Sequence, residues 1–540
     1  MYTIQDFTHN LRGDVLGGIT AAVVALPLAL AFGIASGAGP TAGLYGAIAV
    51  GFFAAIFGGT RTQVSGPTGP MTVVMTAMIA QFSADFPEQG LALAFTTVFV
   101  AGLFQIAIGM LRLGRYIIMV PYPVISGFMS GIGVIIILLE IGPLFGHDTP
   151  STVIAAVQQL PMQVANPNPE ALALGLLSLA IVFLWRGRLN QAIPSPLLAL
   201  IVGTLAVVLI KPDSNVARIG EIPSGLPSLI APQFSSDAMK EMLINAVMLA
   251  ILGSIDSLLT SLVADNMTGT HHDSDRELIG QGIGNSVAGL LGGLPGAGAT
   301  MRTVVNIRAG ATGPLSGAVH GVLLLAIVAG LGFIFEDIPL AVLAGILVKV
   351  GYDILDKPFL ARLHRIPRFP LALMVLVFLL TVFVDLITAV FVGVFIKNLV
   401  TIDKLSDLQL GSLVLSDGKK DSERLRATEK AFLVEHDGSA LLLRITGPVS
   451  YGVGRGLSRQ LQQFSGYETL LIDLSDANII GISTTILVEN LIDKALAEGT
   501  TIKLIGVHGH AYGELKQMGI IERVGAVNCI RSIDAIRDAP

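Results

Sequence analysis

Cysteine is nearly absent. The single one, Cys529, excludes an intrachain disulfide and any cysteine-built metal cluster. Charge is scarce as well: Asp, Glu, Lys and Arg make up 13% of the 540 residues, against about 25% in ordinary soluble domains. A net charge of −6 offers no basic excess for nucleic acid, so no nucleic-acid partner is expected. Residues 1–14 lack the basic n-region and small-residue cleavage site of a secretory leader. They are expected to remain as an amphipathic lead-in on the cytoplasmic side. No catalytic triad, metal cluster or convincing nucleotide loop is present, so the chain does not read as an enzyme.

What fills the sequence instead is apolar. Such residues make up 52% of it, and mean hydropathy is +0.74. The pattern is that of a polytopic α-helical membrane protein. The charge is uneven: of 33 Lys and Arg, 18 fall in residues 1–400 and 15 in the last 140. The reading is therefore a transmembrane domain over 1–400, a linker over 401–428 and a soluble domain over 429–540.

A helix needs about 20 apolar residues to cross a bilayer. Candidate spans lie near 15–36, 41–58, 91–111, 118–141, 171–186, 195–211, 243–264, 277–293, 315–335, 338–352, 370–385 and 386–400. Two further apolar segments, 68–82 and 299–309, are too short to cross alone. Counting both gives fourteen. With cytoplasmic termini, Arg12, Arg61, Arg112, Arg115, Arg186, Arg188, Arg276, Arg308, Lys357, Arg362, Arg365, Arg368 and Lys397 then fall inside. Only Lys211, Arg218 and Lys240 fall outside, as the positive-inside rule requires.

Seven segments lie in residues 15–211 and seven in 243–400, so the second half has inverted topology. In each half the third segment is short and headed by helix breakers: Ser-Gly-Pro-Thr-Gly-Pro-Met-Thr at 65–72, Pro-Gly-Ala-Gly-Ala-Thr at 295–300. Paired interruptions of this kind mark a transporter's binding site at the midplane. Two helix N-termini facing each other offer free N–H groups and positive dipole ends, an anion site. Thr68 and Thr300 add hydroxyls. The competing reading is two ordinary glycine-rich loops.

Asp256 lies in an otherwise apolar helix, where a carboxylate is costly and points to function. Thr260, four residues on, shares its face. With carbonyl oxygens at Gly298 and Thr300 they would suit a hard cation such as Na+. A carboxylate that carries protons, or one that merely braces broken backbone, are the alternatives. Arg302 stands just inside the second half-helix. It either strengthens the anion's field or reaches the cytoplasmic vestibule to pair with Glu277 or Asp275. Glu140 and Asp385 are placed at segment ends, near the interface. His271 and His272, beside Asp273 and Asp275, read as a solvated loop rather than a metal site.

The last quarter alternates strand and helix patterns: strands at 440–445, 469–474 and 501–506, helices at 454–464, 483–498 and 510–517. This predicts a small α/β domain. The glycines at 452, 454 and 456 follow a strand but lack a P-loop's Lys and Ser/Thr.

The whole chain resembles the SulP family of anion transporters. The carriers are Pro40-Thr-Ala-Gly-Leu-Tyr45 through Gly58-Gly-Thr-Arg61, Pro121-Tyr-Pro-Val-Ile-Ser-Gly-Phe128, and Gln281-Gly-Ile-Gly-Asn285 leading to Pro295. Ala42 and Thr60 depart from residues common there. From about 428 on, the chain resembles a STAS domain. Within the family the resemblance is to the BicA-type Na+-dependent bicarbonate transporters. It implies seven plus seven inverted helices, a mobile core moving against a gate, and a homodimer through the STAS domain. It also implies a multi-pass location among plasma-membrane lipid. The Na+ ligands it implies are Asp256, Thr260, Gly298 and Thr300. The bicarbonate site it implies matches Thr68 and Ala299; with the neighbouring Gly69, Thr300 and Arg302 they make up the candidate anion-binding set. The function it implies is Na+-coupled bicarbonate symport. H+-coupled sulfate or dicarboxylate uptake, and an anion channel or sensor with STAS output, are the alternatives. A STAS phosphorylation site would fall at Ser483, but Gly481 and Ile482 replace the Asp-Ser that precedes it.

Overall fold

The computed structural model describes the chain except residues 1, 118–119, 151, 186, 188, 191–192, 211–214, 221–226, 385, 420–421, 447–456, 458–465, 477–481, 508, 532 and 534–540. Two compact units emerge, Met1–Val394 and Phe395–Pro540.

In the first unit the helices are α1 (Leu11–Ala35), α2 (Pro40–Phe57), α3 (Gly69–Asp85), α4 (Gly90–Met110), α5 (Tyr122–Leu144), α6 (Val153–Ala165), α7 (Pro169–Leu184) and α8 (Ser195–Leu205). There follow α9 (Met239–Thr268), α10 (Ser274–Leu290), α11 (Thr300–Arg308), α12 (Leu315–Leu331), α13 (Leu340–Ile354) and α14 (Arg368–Phe383), and then α15 (Leu386–Ser412), within which the boundary between the units falls. Each of the fourteen expected segments falls on one of these helices. Among the described residues, though, only six are long and apolar enough to cross a membrane alone, or seven if the α6–α7 pair, bent by 111°, is one span. Length accounts for much of the shortfall: α13 has 15 residues and α11 only 9. Leu184, Val322 and Phe391 stand exposed, as apolar residues do on a surface that faces lipid.

Packing sorts the helices into two groups. One gathers α1, α2, α4, α9, α10 and α12; the other gathers α5, α7, α13 and α14. Glycine permits the closest approaches in the first group. A Cβ on Gly102 of α4 would lie 2.4 Å from the Ser286 nitrogen of α10. The lead-in docks onto the first group. Asp6 pairs with Arg61 at 3.1 Å. Hydrogen bonds from Thr3 hold the Asp6 carboxyl below its ordinary range. Asp14, wholly buried, accepts bonds from the Thr312 and Gly313 amides at 2.8 and 2.9 Å.

The second unit is a five-stranded sheet, with β3 (Val414–Ser416), β4 (Ala440–Thr446), β5 (Thr469–Asp476), β6 (Thr501–Ile505) and β7 (Cys529–Ile530) in spatial sequence. The β3–β4 pair is antiparallel and the rest are parallel. Side chains alternate between faces, as strand geometry demands. Leu441, Leu443, Leu470 and Ile472 pack with Val488 and Ile492 of α17 (Ile482–Ala497). Leu442 and Leu471 pack with Phe432 and Leu433 of α16 (Ala427–Glu435). Residues 401–428, expected as a linker, hold the end of α15 and the strand β3. A three-residue strand beside lysines and aspartates gives too little periodicity to be seen. The expected helix at 454–464 and the glycines at 452–456 lie outside the described residues, apart from Leu457. So do Asp385 and Gly481. Ser483 falls in the first turn of α17. Burial pushes the Cys529 thiol up.

One buried ion pair braces this unit. Arg444 of β4 donates to both Glu429 carboxylate oxygens, at 2.7 and 2.6 Å, with the Glu429 side chain 1% exposed. Breaking it from one side leaves an unpaired buried charge. Glu429→Ala is therefore expected to cost about 3–5 kcal/mol, measured as a lowered urea midpoint of the purified second unit's unfolding transition.

Candidate functional site

The short strands β1 (Ser65–Pro67) and β2 (Gly296–Gly298) pair antiparallel, Gly66 opposite Ala297. Each leads directly into a half-helix, α3 and α11. The backbones touch so closely that side chains cannot be added. A Cβ on Gly296 would lie 2.5 Å from the Gly66 carbonyl carbon, and Gly66 itself has φ +150°. That is what the glycines and prolines of these two stretches accomplish: they let two extended segments cross within a helical body.

Thr72 and Thr303 are the first residues to close helical bonds, onto the carbonyls of Thr68 and Ala299 at 2.9 Å each. The N–H groups of Gly69, Met71, Thr300 and Met301 thus have no carbonyl one turn earlier. Both N-termini carry the positive end of a helix dipole.

Against this crossing lies α9. The Thr68 hydroxyl donates to Asp256 Oδ2 at 2.8 Å. The Thr260 hydroxyl donates to the Gly298 carbonyl at 2.9 Å and lies 2.8 Å from the Thr300 hydroxyl. Ser257 Oγ accepts from the Gly298 amide at 3.0 Å. Thr68, Asp256, Thr260, Gly298 and Thr300 are therefore brought together. The contacts form two sets, Thr68 with Asp256 and Thr260 with Gly298 and Thr300, carried one turn apart on α9; carboxylate, hydroxyl and carbonyl oxygens are the donors that a hard cation takes. Asp256 is 9% exposed. Beside it is a cavity of about 10 Å³, otherwise lined by apolar side chains including Val124, Phe128 and Leu259. That is room for about one water beside Asp256, whereas Thr300 is exposed. Gly69 faces Ile136 of α5 and Ile354 of α13: a Cβ there would meet their Cδ1 atoms at 2.8 and 2.7 Å. Ala299, the residue before α11, donates its amide to the Val64 carbonyl at 2.9 Å.

Arg302 resolves one of the open alternatives. It is 2% exposed, and its Nη2 donates to the Pro67 carbonyl at 2.5 Å. It reaches back across the crossing to β1 rather than outward to Glu277 or Asp275. Glu277 is fully engaged elsewhere: its carboxylate accepts from the Gly59 and Thr60 amides and from the Gln63 and Gln281 side chains, at 2.7 to 2.9 Å. Asp275 accepts from the Gly114 amide. His272 is held by Asp265 and Ser274. Glu140, near the end of α5, is 4% exposed.

Sequence reasoning missed the network that fixes the crossing. Gln281 donates to Ser65 Oγ at 2.6 Å. Asn285 holds both the amide and the carbonyl of Gly296, at 2.7 and 2.9 Å. Thr303 accepts from the Val64 amide and Asn306 donates to the Thr62 carbonyl. The signal was present: Gln281, Asn285 and Asn306 are amides within or beside apolar helices. His320 on α12 is also wholly buried, and neither ring nitrogen has a hydrogen-bond partner among the described residues.

Two larger cavities lie at opposite ends of α1 and α13, between the two helix groups. One, about 970 Å³, is lined by Thr20 and Leu28 of α1, Arg308, and Lys349 and Lys357 of α13. The other, about 180 Å³, is lined by Ala31 and Ala35 of α1, Glu140, and Leu340 and Leu343 of α13.

Comparison with known proteins identifies the family. Residues 11–377 match the sulfate permease family. A curated relative, the bicarbonate transporter BicA of Synechocystis sp., is 47% identical over 98% of this chain and 94% of its own. The solved transmembrane domain of a cyanobacterial bicarbonate transporter, BicA, is 53% identical and superposes with a TM-score of 0.66, covering 70% of this chain and 97% of that one. The structure of SLC26A9 superposes with a TM-score of 0.80 over 98% of this chain and 89% of that one. At 18% identity it speaks for the fold alone.

Proposed function

The chain belongs to the sulfate permease family, and from that premise we propose that it is a Na+-coupled bicarbonate symporter. It is a multi-pass membrane protein and an anion transporter of that family, close in sequence to bicarbonate transporters. The finer reading is our own. It is supported by one observation: Asp256 and Thr260, one turn apart on α9, bond respectively to Thr68 at the start of α3 and to Gly298 and Thr300 at the start of α11.

In this reading Na+ sits among those oxygens and cancels the Asp256 charge. The anion sits between the two N-termini, at Thr68, Gly69, Ala299 and Thr300, within the field of Arg302. Each ion improves the site for its neighbour: without Na+, the Asp256 carboxylate repels the anion. That mutual dependence is the coupling. The helix group of α1, α2, α4, α9, α10 and α12 is the moving core, and that of α5, α7, α13 and α14 the gate. The unequal cavities fit a conformation open toward the Arg308 side. By the distribution of basic residues this is the cytoplasm, with fourteen segments crossing the plasma membrane amid its lipid and both termini inside. The second unit is read as a STAS domain through which two copies pair.

Uptake by the purified protein in proteoliposomes tests this. Labelled bicarbonate is expected to accumulate with an inward Na+ gradient and not when choline replaces Na+. Accumulation of sulfate instead, indifferent to Na+ and driven by a proton gradient, would overturn both the anion and the coupling ion. Downhill flux with no accumulation would mark a channel.

A further inference from the structure

We propose that the smaller cavity, around Glu140, is a second cation site that takes a partly hydrated monovalent cation such as Na+. Glu140 follows the apolar run of α5 that includes buried Ile135, Ile136 and Leu139. At 4% exposure its carboxylate accepts no hydrogen bond from any described residue and pairs with no cation among them. The groups around it, Ala31, Ala35, Ala171, Ala341 and Leu343, cannot compensate a charge. A buried carboxylate left ionised in that state is strongly penalised, so it takes up either a proton or a cation. The space beside it is not collapsed. At about 180 Å³ it holds about six waters, enough for an ion that keeps most of its hydration.

The charge at hand selects a monovalent ion. When a cation displaces its proton, Glu140 supplies one negative charge, with Asp148 at the solvent-exposed rim. No three acidic, His or Cys side chains converge on a metal geometry among the described residues. The rim is built rather than loose: His147 Nε2 lies 2.9 Å from the Asn166 carbonyl and the His147 amide donates to Gly142. That holds Asp148 and Thr149 beside the opening.

Placement gives the site a role. The cavity is walled by α1 from one helix group and by α5, α7 and α13 from the other. An ion there touches both bodies that must move, so its occupancy biases the movement. It lies at the end of α1 and α13 away from Arg308 and Lys349. The proposal rests on the symport reading for its side of the membrane, the external one, and not for the site itself.

Binding of radioactive Na+ to the purified full-length protein separates the two sites. Wild type is expected to hold two ions per chain, Asp256→Asn and Glu140→Gln one each, and the double variant none. Equal binding by Asp256→Asn and the double variant overturns the Glu140 site. Loss on Glu140→Gln with none on Asp256→Asn strikes the symport reading and leaves this one standing. In proteoliposomes, Glu140→Gln is expected to raise the external Na+ needed for half-maximal uptake by about tenfold, the lower end of what loss of an outer-shell partner costs a metal site. The maximal rate at saturating Na+ stays near that of wild type. A lower maximal rate with the same half-saturation would show a merely structural glutamate and overturn the proposal.

Discussion

Asp256→Asn is expected to abolish Na+-stimulated bicarbonate uptake while leaving the protein folded in the membrane. The substitution is nearly isosteric. Its amide oxygen still accepts the Thr68 hydroxyl that Asp256 Oδ2 accepts at 2.8 Å. The Thr260–Gly298 and Thr260–Thr300 contacts do not involve Asp256. What disappears is the only formal charge among the oxygens of the cluster. At an effective dielectric of about 20, opposite charges about 4 Å apart interact by about 4 kcal/mol, which is close to a thousandfold in affinity. The Na+ needed for half-maximal uptake would leave any attainable range. Monodispersity in detergent, compared with wild type, checks the fold, and uptake with and without Na+ checks the function. A purely bracing Asp256 would give the opposite result, since asparagine braces equally well. Normal Na+ stimulation in the variant would therefore sink the cation assignment. A proton-coupled Asp256 would show up as wild-type uptake that responds to pH and ignores Na+.

Some of this site was legible in one dimension and some was not. Helix breakers in an apolar chain are conspicuous, so the stretches at 65–72 and 295–300 declared themselves, as did Asp256 within an apolar helix. The α/β alternation after 440 was visible for the same reason: period-two and helical patterns differ in sequence. What stayed hidden depends on pairs remote in the chain. Glu277 bonds to Gln63 across 214 positions and Gln281 to Ser65 across 216, and no local pattern ties one to the other. Arg302 was ambiguous because a long side chain on a short helix reaches in either direction. Only the crossing of β1 over β2 puts the Pro67 carbonyl within its reach. Glu140 stands near the end of an apolar run, and its enclosure by α1 and α13 is a tertiary fact that no local pattern carries. β3 and α16 were lost in a charged stretch where short elements leave little periodicity.

Arg302 carries the other large expectation. A cation in the first turn of a helix opposes the dipole, and burying it at 2% exposure adds a desolvation cost. Two gains can offset these. One is the bond to the Pro67 carbonyl at 2.5 Å; the other is the field it adds to an anion between α3 and α11. The two make different predictions for Arg302→Met. If Arg302 only braces the crossing, losing the bond leaves Pro67 unsatisfied at about 1–3 kcal/mol, and affinity for both ions falls together. If its field matters, the ions respond in opposite directions. A unit charge within about 8 Å contributes about 2 kcal/mol at an effective dielectric of about 20, or about thirtyfold in affinity. The bicarbonate KM is then expected to rise by about that factor. Na+ affinity is expected to rise as well, because Arg302 and the Asp256 cluster act on each other electrostatically and a repelling charge has gone. Arg302→Lys keeps the charge without the planar fork, so it should fall between wild type and Arg302→Met in bicarbonate KM. We expect opposite shifts in the two half-saturation constants, measured in one uptake series. Parallel losses would reduce Arg302 to a brace.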